Sequence, residues 1–71
     1  MPFDMELSAR NQLKGKVKSV NVGAIMAEVE VDIGGQSVVS VITKSSVERL
    51  KLKAGDAVTV IVKSTEVMIG K

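Results

Sequence analysis

The sequence predicts an all-β fold, a small five-stranded barrel with one short helix between strands 3 and 4. Three observations carry this expectation. Val and Ile dominate the apolar residues of the 71-residue chain, and β-branched side chains fit a pleated, half-buried surface. Apolar and polar residues alternate with period two in successive stretches, as strands with one buried face do. Between those stretches lie Gly, Asn, Asp and Ser, the residues that turns use.

Residues 1–6 read as a short leader and residues 7–71 as a single domain. Residues 13–20 (Leu-Lys-Gly-Lys-Val-Lys-Ser-Val) alternate cleanly and form the first strand. Gly15 interrupts it and marks a bulge or a close backbone approach. Asn21, Val22 and Gly23 supply turn chemistry. In residues 25–33, Ile25, Ala27, Val29, Val31 and Ile33 face one way, and Met26, Glu28, Glu30 and Asp32 face the other. Gly34-Gly35 offers the positive φ angles of a two-residue hairpin, and residues 36–43 make the third strand. Residues 44–50 break the alternation; Ser45 with Glu48 three residues on is a capping-box pattern, which suggests a helical turn or two. A turn at residues 53–56 leads to a fourth strand over 57–63. Ser64, Thr65 and Glu66 bend the chain into a brief last strand at 67–69. Five strands with a helix in this position suggest an OB-like barrel.

A chain this short buries only roughly 60% of the surface its unfolded form exposes and needs a supplement to its core. With no Cys and no His, disulfides and thiolate or imidazole metal sites are excluded. Association between copies is what remains. Val38-Val39, Val41-Ile42 and residues 58–62 are apolar on both strand faces. A small barrel hides one face, so the other face needs a partner.

The absence of His and Cys also removes the usual general base and the strongest nucleophile. Glu28, Glu30 and Asp32 form a solvated sheet face, and no Walker or Rossmann glycine loop is present. The chain is therefore read as no enzyme. The net charge of +2, from ten basic and eight acidic residues, describes a mixed surface. Lys14, Lys16 and Lys18 make a basic row, but single-strand binders stack bases on aromatic rings, and Phe3 is the sole aromatic residue. No nucleic acid and no membrane partner is expected. The N-terminus lacks the pattern of a secretory signal and no run is long enough to span a bilayer, which makes the cytoplasm the expected location.

Three polar clusters remain: Ser8-Ala9-Arg10-Asn11, Thr43-Lys44-Ser45-Ser46 and Lys63-Ser64-Thr65. Each is rich in donors and free of carboxylates. Together they suit a small, fully deprotonated dianion, with the start of the short helix adding N–H groups. The alternative is ordinary turn and cap chemistry.

The order of these segments resembles a known family. Residues 8–17 (Ser-Ala-Arg-Asn-Gln-Leu-Lys-Gly-Lys-Val) open the domain. Ala27-Glu28-Val29 and the Gly-Gly hairpin follow, and residues 62–69 (Val-Lys-Ser-Thr-Glu-Val-Met-Ile) close it. This looks like a molbindin, the free-standing form of the Mop or TOBE-type domain, over nearly the whole chain. The resemblance implies an OB-like barrel that assembles as a hexamer, a trimer of dimers, and holds molybdate or tungstate at subunit interfaces for molybdenum storage or homeostasis. It implies oxyanion contacts from Ser8, Ala9 and Arg10, partly through backbone N–H groups. It further implies hydroxyl donors at Thr43 and Ser46, and a Lys63–Ser64 pair completing the site. A second site on a threefold axis would fall near Val22, Gly23 and Ala24. No organic cofactor is required, although a pterin-cofactor carrier is the nearest variant of the role. The leader is a few residues longer than a minimal molbindin needs. Two rival readings come from other classes: a single-stranded nucleic-acid-binding module and a purely structural oligomerisation domain.

Overall fold

The computed structural model describes residues 8–71; the leader at 1–6, with Phe3, lies outside the described residues. Four strands and one helix follow in the order β1 (Asn11–Val22), β2 (Met26–Asp32), β3 (Ser37–Thr43), α1 (Lys44–Leu50) and β4 (Ala57–Val62), with a 3-10 turn at Ser64–Glu66. The strands form one antiparallel sheet in the order β3-β2-β1-β4.

β1 organises the sheet. Its first half pairs with β4, from Asn11 opposite Val62 to Lys16 opposite Ala57, and its second half pairs with β2, ending with Val22 opposite Ala27. A strand serving two neighbours in succession must bend. The ladder slips between Val17 and Ser19, which leaves Lys18 as the extra residue of a bulge, and bulges sharpen local twist. Gly15 is the second device. A Cβ there would overlap the carbonyl oxygen of Asp32 and sit 2.8 Å from Cγ1 of Val31. Of the two readings of Gly15, the structure shows the close approach; the bulge lies three residues on.

The inner face is aliphatic throughout. Val17, Ala27, Val29, Val31 and Val47 are buried, with Val20, Ile33, Ile42, Leu52, Val58 and Val60 packed against them. Glu28 and Asp32 lie on the outer face of β2 with half-buried Glu30, whose carboxylate is 3.6 Å from the Lys18 ammonium. Ile25 departs from the expected pattern. It precedes β2 in the turn and is 74% exposed, because Gly23 N–H donates to the Met26 carbonyl and closes the turn before the ladder begins. Asn21 and Val22, expected in that turn, are the last residues of β1.

Gly34 and Gly35 take φ of 99° and 93°, the two positive values that a type I′ hairpin needs. Asp32 Oδ1 accepts from both glycine N–H groups, at 2.9 and 3.0 Å. Before β4, Lys53 and Asp56 close a turn through a 2.8 Å ion pair and a 3.0 Å bond from Lys53 N–H to Asp56 Oδ2. Val17 and the Gly55–Asp56 backbone then exchange bonds of 2.8 and 2.9 Å, docking the turn on β1.

Two expectations are corrected here. There are four strands among the described residues, and residues 67–69 form no strand: Val67 is extended, at φ −90° and ψ 124°, but pairs with nothing. Pairing needs an edge that residues 67–69 do not meet within their own copy. The sheet is consequently curled but unclosed, and β3 and β4 are both free edges. Between them opens an apolar cleft of about 210 Å³, lined by Ser40 and Ile42 on one side and Val58, Thr59, Val60 and Ile61 on the other.

Candidate oxyanion site

Two of the three donor clusters meet at one end of the sheet. Asn11 and Val62 are the terminal pair of the β1–β4 ladder, so Arg10 and Lys63 flank that pair on adjacent strands. Gln12 Nε2 donates to the Ala9 carbonyl at 2.8 Å, tying the lead-in of β1 to the strand. Lys63 precedes the 3-10 turn and its carbonyl accepts from Glu66 N–H at 2.9 Å. Ala9 is half-buried, and the side chains of Ser8, Arg10, Lys63 and Ser64 are exposed. Among the described residues, neither Arg10 nor Lys63 has an ion-pair partner. Two adjacent uncompensated cations attract an anion and repel one another.

The third cluster lies at the other end of the sheet, where β3 runs into α1 with no linker. Lys44 N–H donates to the Ile25 carbonyl at 2.7 Å, holding the junction against the turn before β2. Thr43, the last residue of β3, is the N-cap of α1: its Oγ1 accepts from Ser46 N–H at 3.1 Å. This replaces the expected Ser45–Glu48 capping box, because the helix starts two residues earlier than that pattern implied. Thr43 Oγ1 also donates to Ser46 Oγ at 2.8 Å and lies 3.1 Å from Ser45 Oγ. The hydroxyl proton of Ser46 is left free to point elsewhere. Val47 is buried and anchors the helix to the core.

The clusters stand at two ends of the sheet: Arg10 and Lys63 flank the Asn11–Val62 pair at the start of β1, whereas Thr43 pairs with Met26, next to the Val22–Ala27 pair at the end of β1. Among the described residues no hydrogen bond or ion pair joins the two ends. No group of His, Cys, Asp or Glu able to hold a metal cation exists among them either. The donor set is chemically one-sided: guanidinium, ammonium and hydroxyl groups without a carboxylate acceptor. Gln12 is the contributor that sequence reasoning missed; its three-residue spacing from Ala9 was the available signal, and it is a common one.

The Val22-Gly23-Ala24 region is different. Val22 and Gly23 line a shallow depression with Asn21, Met26, Ala27, Glu28 and Val41, whereas Ala24 does not. The Glu28 carboxylate there opposes an anion within one copy.

Residues 7–69 match the TOBE domain. The chain belongs to the TOBE domain family. Some of its relatives match it in length, and others are longer proteins of which it covers a part. It is 52% identical to molybdenum-pterin-binding protein 3 of Clostridium pasteurianum over 66 residues, covering 92% of this chain and 97% of that one. The structure of a molybdate-binding protein from Sporomusa ovata superposes with a TM-score of 0.90 at 42% identity, covering 94% of this chain and all of that one. A molybdate-bound structure of the cytoplasmic molybdate-binding protein ModG matches with a TM-score of 0.82 at 41% identity, over 84% of this chain and 43% of that one. This TOBE domain has no helix, among the described residues, long and apolar enough to cross a membrane.

Proposed function

We propose that this TOBE domain binds molybdate reversibly, without covalent chemistry, at contacts between copies of itself. The observation that carries the reading is its near full-length similarity to a molybdenum-pterin-binding protein and to a molybdate-binding protein. The donor set supports it from the side of chemistry. Molybdate at neutral pH carries two negative charges and no proton, so it asks only for donors, and Arg10, Lys63, Thr43, Ser46, Ser8 and Ser64 are donors, together with backbone N–H groups around Ala9. Charge-assisted bonds of this kind are short and strong.

Selectivity follows from the missing acceptor. Phosphate near neutrality commonly retains a proton, and a site with no carboxylate leaves that hydroxyl unpaired, at a penalty of about 1–3 kcal/mol. Sulfate has molybdate's charge but shorter bonds to oxygen, so its rejection rests on cavity size; tungstate, the same shape and charge as molybdate, is accepted. The hexameric, trimer-of-dimers assembly belongs to this reading, as does residence in the cytoplasm as a molybdenum store or buffer. Exposed clusters at two ends of a small sheet come together only between copies, as an interfacial site requires, and a ligand that binds only the assembly stabilises it by mass action. Catalysis has no place in the reading.

Isothermal titration of the purified protein with molybdate, sulfate and phosphate tests it. Saturable heat with molybdate and tungstate, and none with phosphate at equal concentration, is the expected result. No heat with any oxyanion from a fully assembled protein would instead favour a structural oligomerisation role.

A further inference from the structure

We infer that Lys14 and Lys16 form an electrostatic approach path along the outer face of β1, which guides the dianion to Arg10 and Lys63 and sets how fast it binds. The role rests on the proposed molybdate binding and adds the route by which the ion arrives. The strand itself places the row. Val17 is buried, so the even-numbered residues ahead of the bulge face outward. These are Arg10, just before β1, and then Gln12, Lys14 and Lys16, all of them exposed. Two residues of strand advance about 7 Å, which puts Lys14 roughly 13 Å and Lys16 roughly 20 Å along the backbone from Arg10. Gln12, between them, turns its amide to the Ala9 carbonyl and adds no charge.

The charge around the row is of one sign. Residues 7–27 hold Arg10, Lys14, Lys16 and Lys18, with no Asp or Glu. On one flank β4 is uncharged from Ala57 to Val62 and sets Thr59 opposite Lys14. Among the described residues Lys18 is paired, with Glu30 at 3.6 Å, whereas Lys14 and Lys16 have no ion-pair partner. Asp32 stands opposite Lys16 but directs Oδ1 to the N–H groups of Gly34 and Gly35. It lowers the potential beside Lys16 and leaves Lys14, the nearer to Arg10, as the stronger centre. Lysines that guard a sheet against unwanted pairing belong on an edge strand. β1 is central, between β2 and β4, so this row has no edge to guard. Cations about 7 Å apart lie within the screening length of about 8 Å at physiological salt, so their fields merge. A surface stripe of one sign raises the local concentration of an oppositely charged ligand and speeds its capture.

The test separates arrival from holding. Wild type and Lys14→Gln/Lys16→Gln are checked for assembly by light scattering and mixed with radiolabelled molybdate; rapid filtration then gives association and dissociation rates. The salt is set at about 0.01 M, where the screening length of roughly 30 Å exceeds the row, and at about 1 M, where it is roughly 3 Å. At low salt the double variant should associate about 3- to 10-fold more slowly than wild type. The difference should vanish at high salt, with dissociation unchanged throughout. Lys14→Gln alone should do more than Lys16→Gln, and Lys14→Arg/Lys16→Arg should keep the wild-type rate. An unchanged association rate overturns the path. Faster dissociation at an unchanged association rate also overturns it, because the lysines would then hold the ion. Loss of assembly in the Gln variant would make them structural and overturn it too. Wild type that captures no molybdate overturns the binding reading along with the path, whereas the other outcomes leave that reading intact.

Discussion

Arg10 and Lys63 are the residues on which affinity should turn. Each is exposed and lacks an ion-pair partner among the described residues, and each flanks the last pair of the β1–β4 ladder. Neither supports the core, so truncation removes a donor without removing packing. A lost charge-assisted hydrogen bond is worth about 1.5–3 kcal/mol. Arg10→Ala or Lys63→Ala should therefore weaken molybdate binding by roughly 10- to 100-fold, with thermal unfolding of the free protein nearly unchanged. Calorimetric titration beside a melting curve checks both halves. Gly15 is the opposite kind of residue, remote from ligand and essential to shape. Its missing side chain lets the carbonyl of Asp32 and the side chain of Val31 approach, and a backbone atom cannot step aside. Gly15→Ala should destabilise the fold by about 1–3 kcal/mol, read as a lower midpoint in urea. Gly15 was legible in the sequence as a break in alternation. The cap at Thr43 was not, because Ser45 and Glu48 match a capping box while Thr43 reads as the end of a strand; it is both.

Among the elements, the two tight turns link the fold to pH. Asp32 is held below the usual carboxylate range by the N–H groups of Gly35 and Gly34, and Asp56 by the side chain and N–H of Lys53. A carboxyl whose pKa is lower folded than unfolded stabilises the folded state only while it is ionised. That contribution is complete above the unfolded value of about 3.9 and is lost as pH falls through the lowered folded value. Stability should thus be insensitive to these groups from neutrality down to about pH 5, then decline on further acidification. Asp32→Asn/Asp56→Asn should flatten that acid limb, as melting curves between neutral and acid pH would show. The strands β1 to β4 were legible because each alternates or is bounded by turn residues. The helix was legible because the alternation stops. The fifth strand was misread for a physical reason: Val67, Met68 and Ile69 are apolar on every face, and whether such a run becomes a strand depends on an edge to pair with, which lies far away in sequence.

For the whole molecule, the deciding quantity is how little one copy buries. Its core is five small or medium aliphatic residues with a partly buried shell, and large apolar side chains remain at the surface on β3, β4, α1 and the tail. A chain of this size is marginal alone, and on the proposed reading the assembly of copies and the formation of the anion site are one event. The apolar surplus was legible from the two-faced strands. The placement of the donor clusters at two ends of the sheet was not, since it follows from which strands pair and in what register. The central claim is that an oxyanion sits between copies, held by these clusters. Crystals grown with tungstate test it most directly, because the tungsten atom reports its own position by anomalous scattering. The account predicts strong peaks at contacts between copies, within hydrogen-bonding reach of Arg10, Lys63 and the Thr43–Ser46 hydroxyls. A well-ordered assembly with no peak there, or with tungsten only at sites remote from all three clusters, would contradict it.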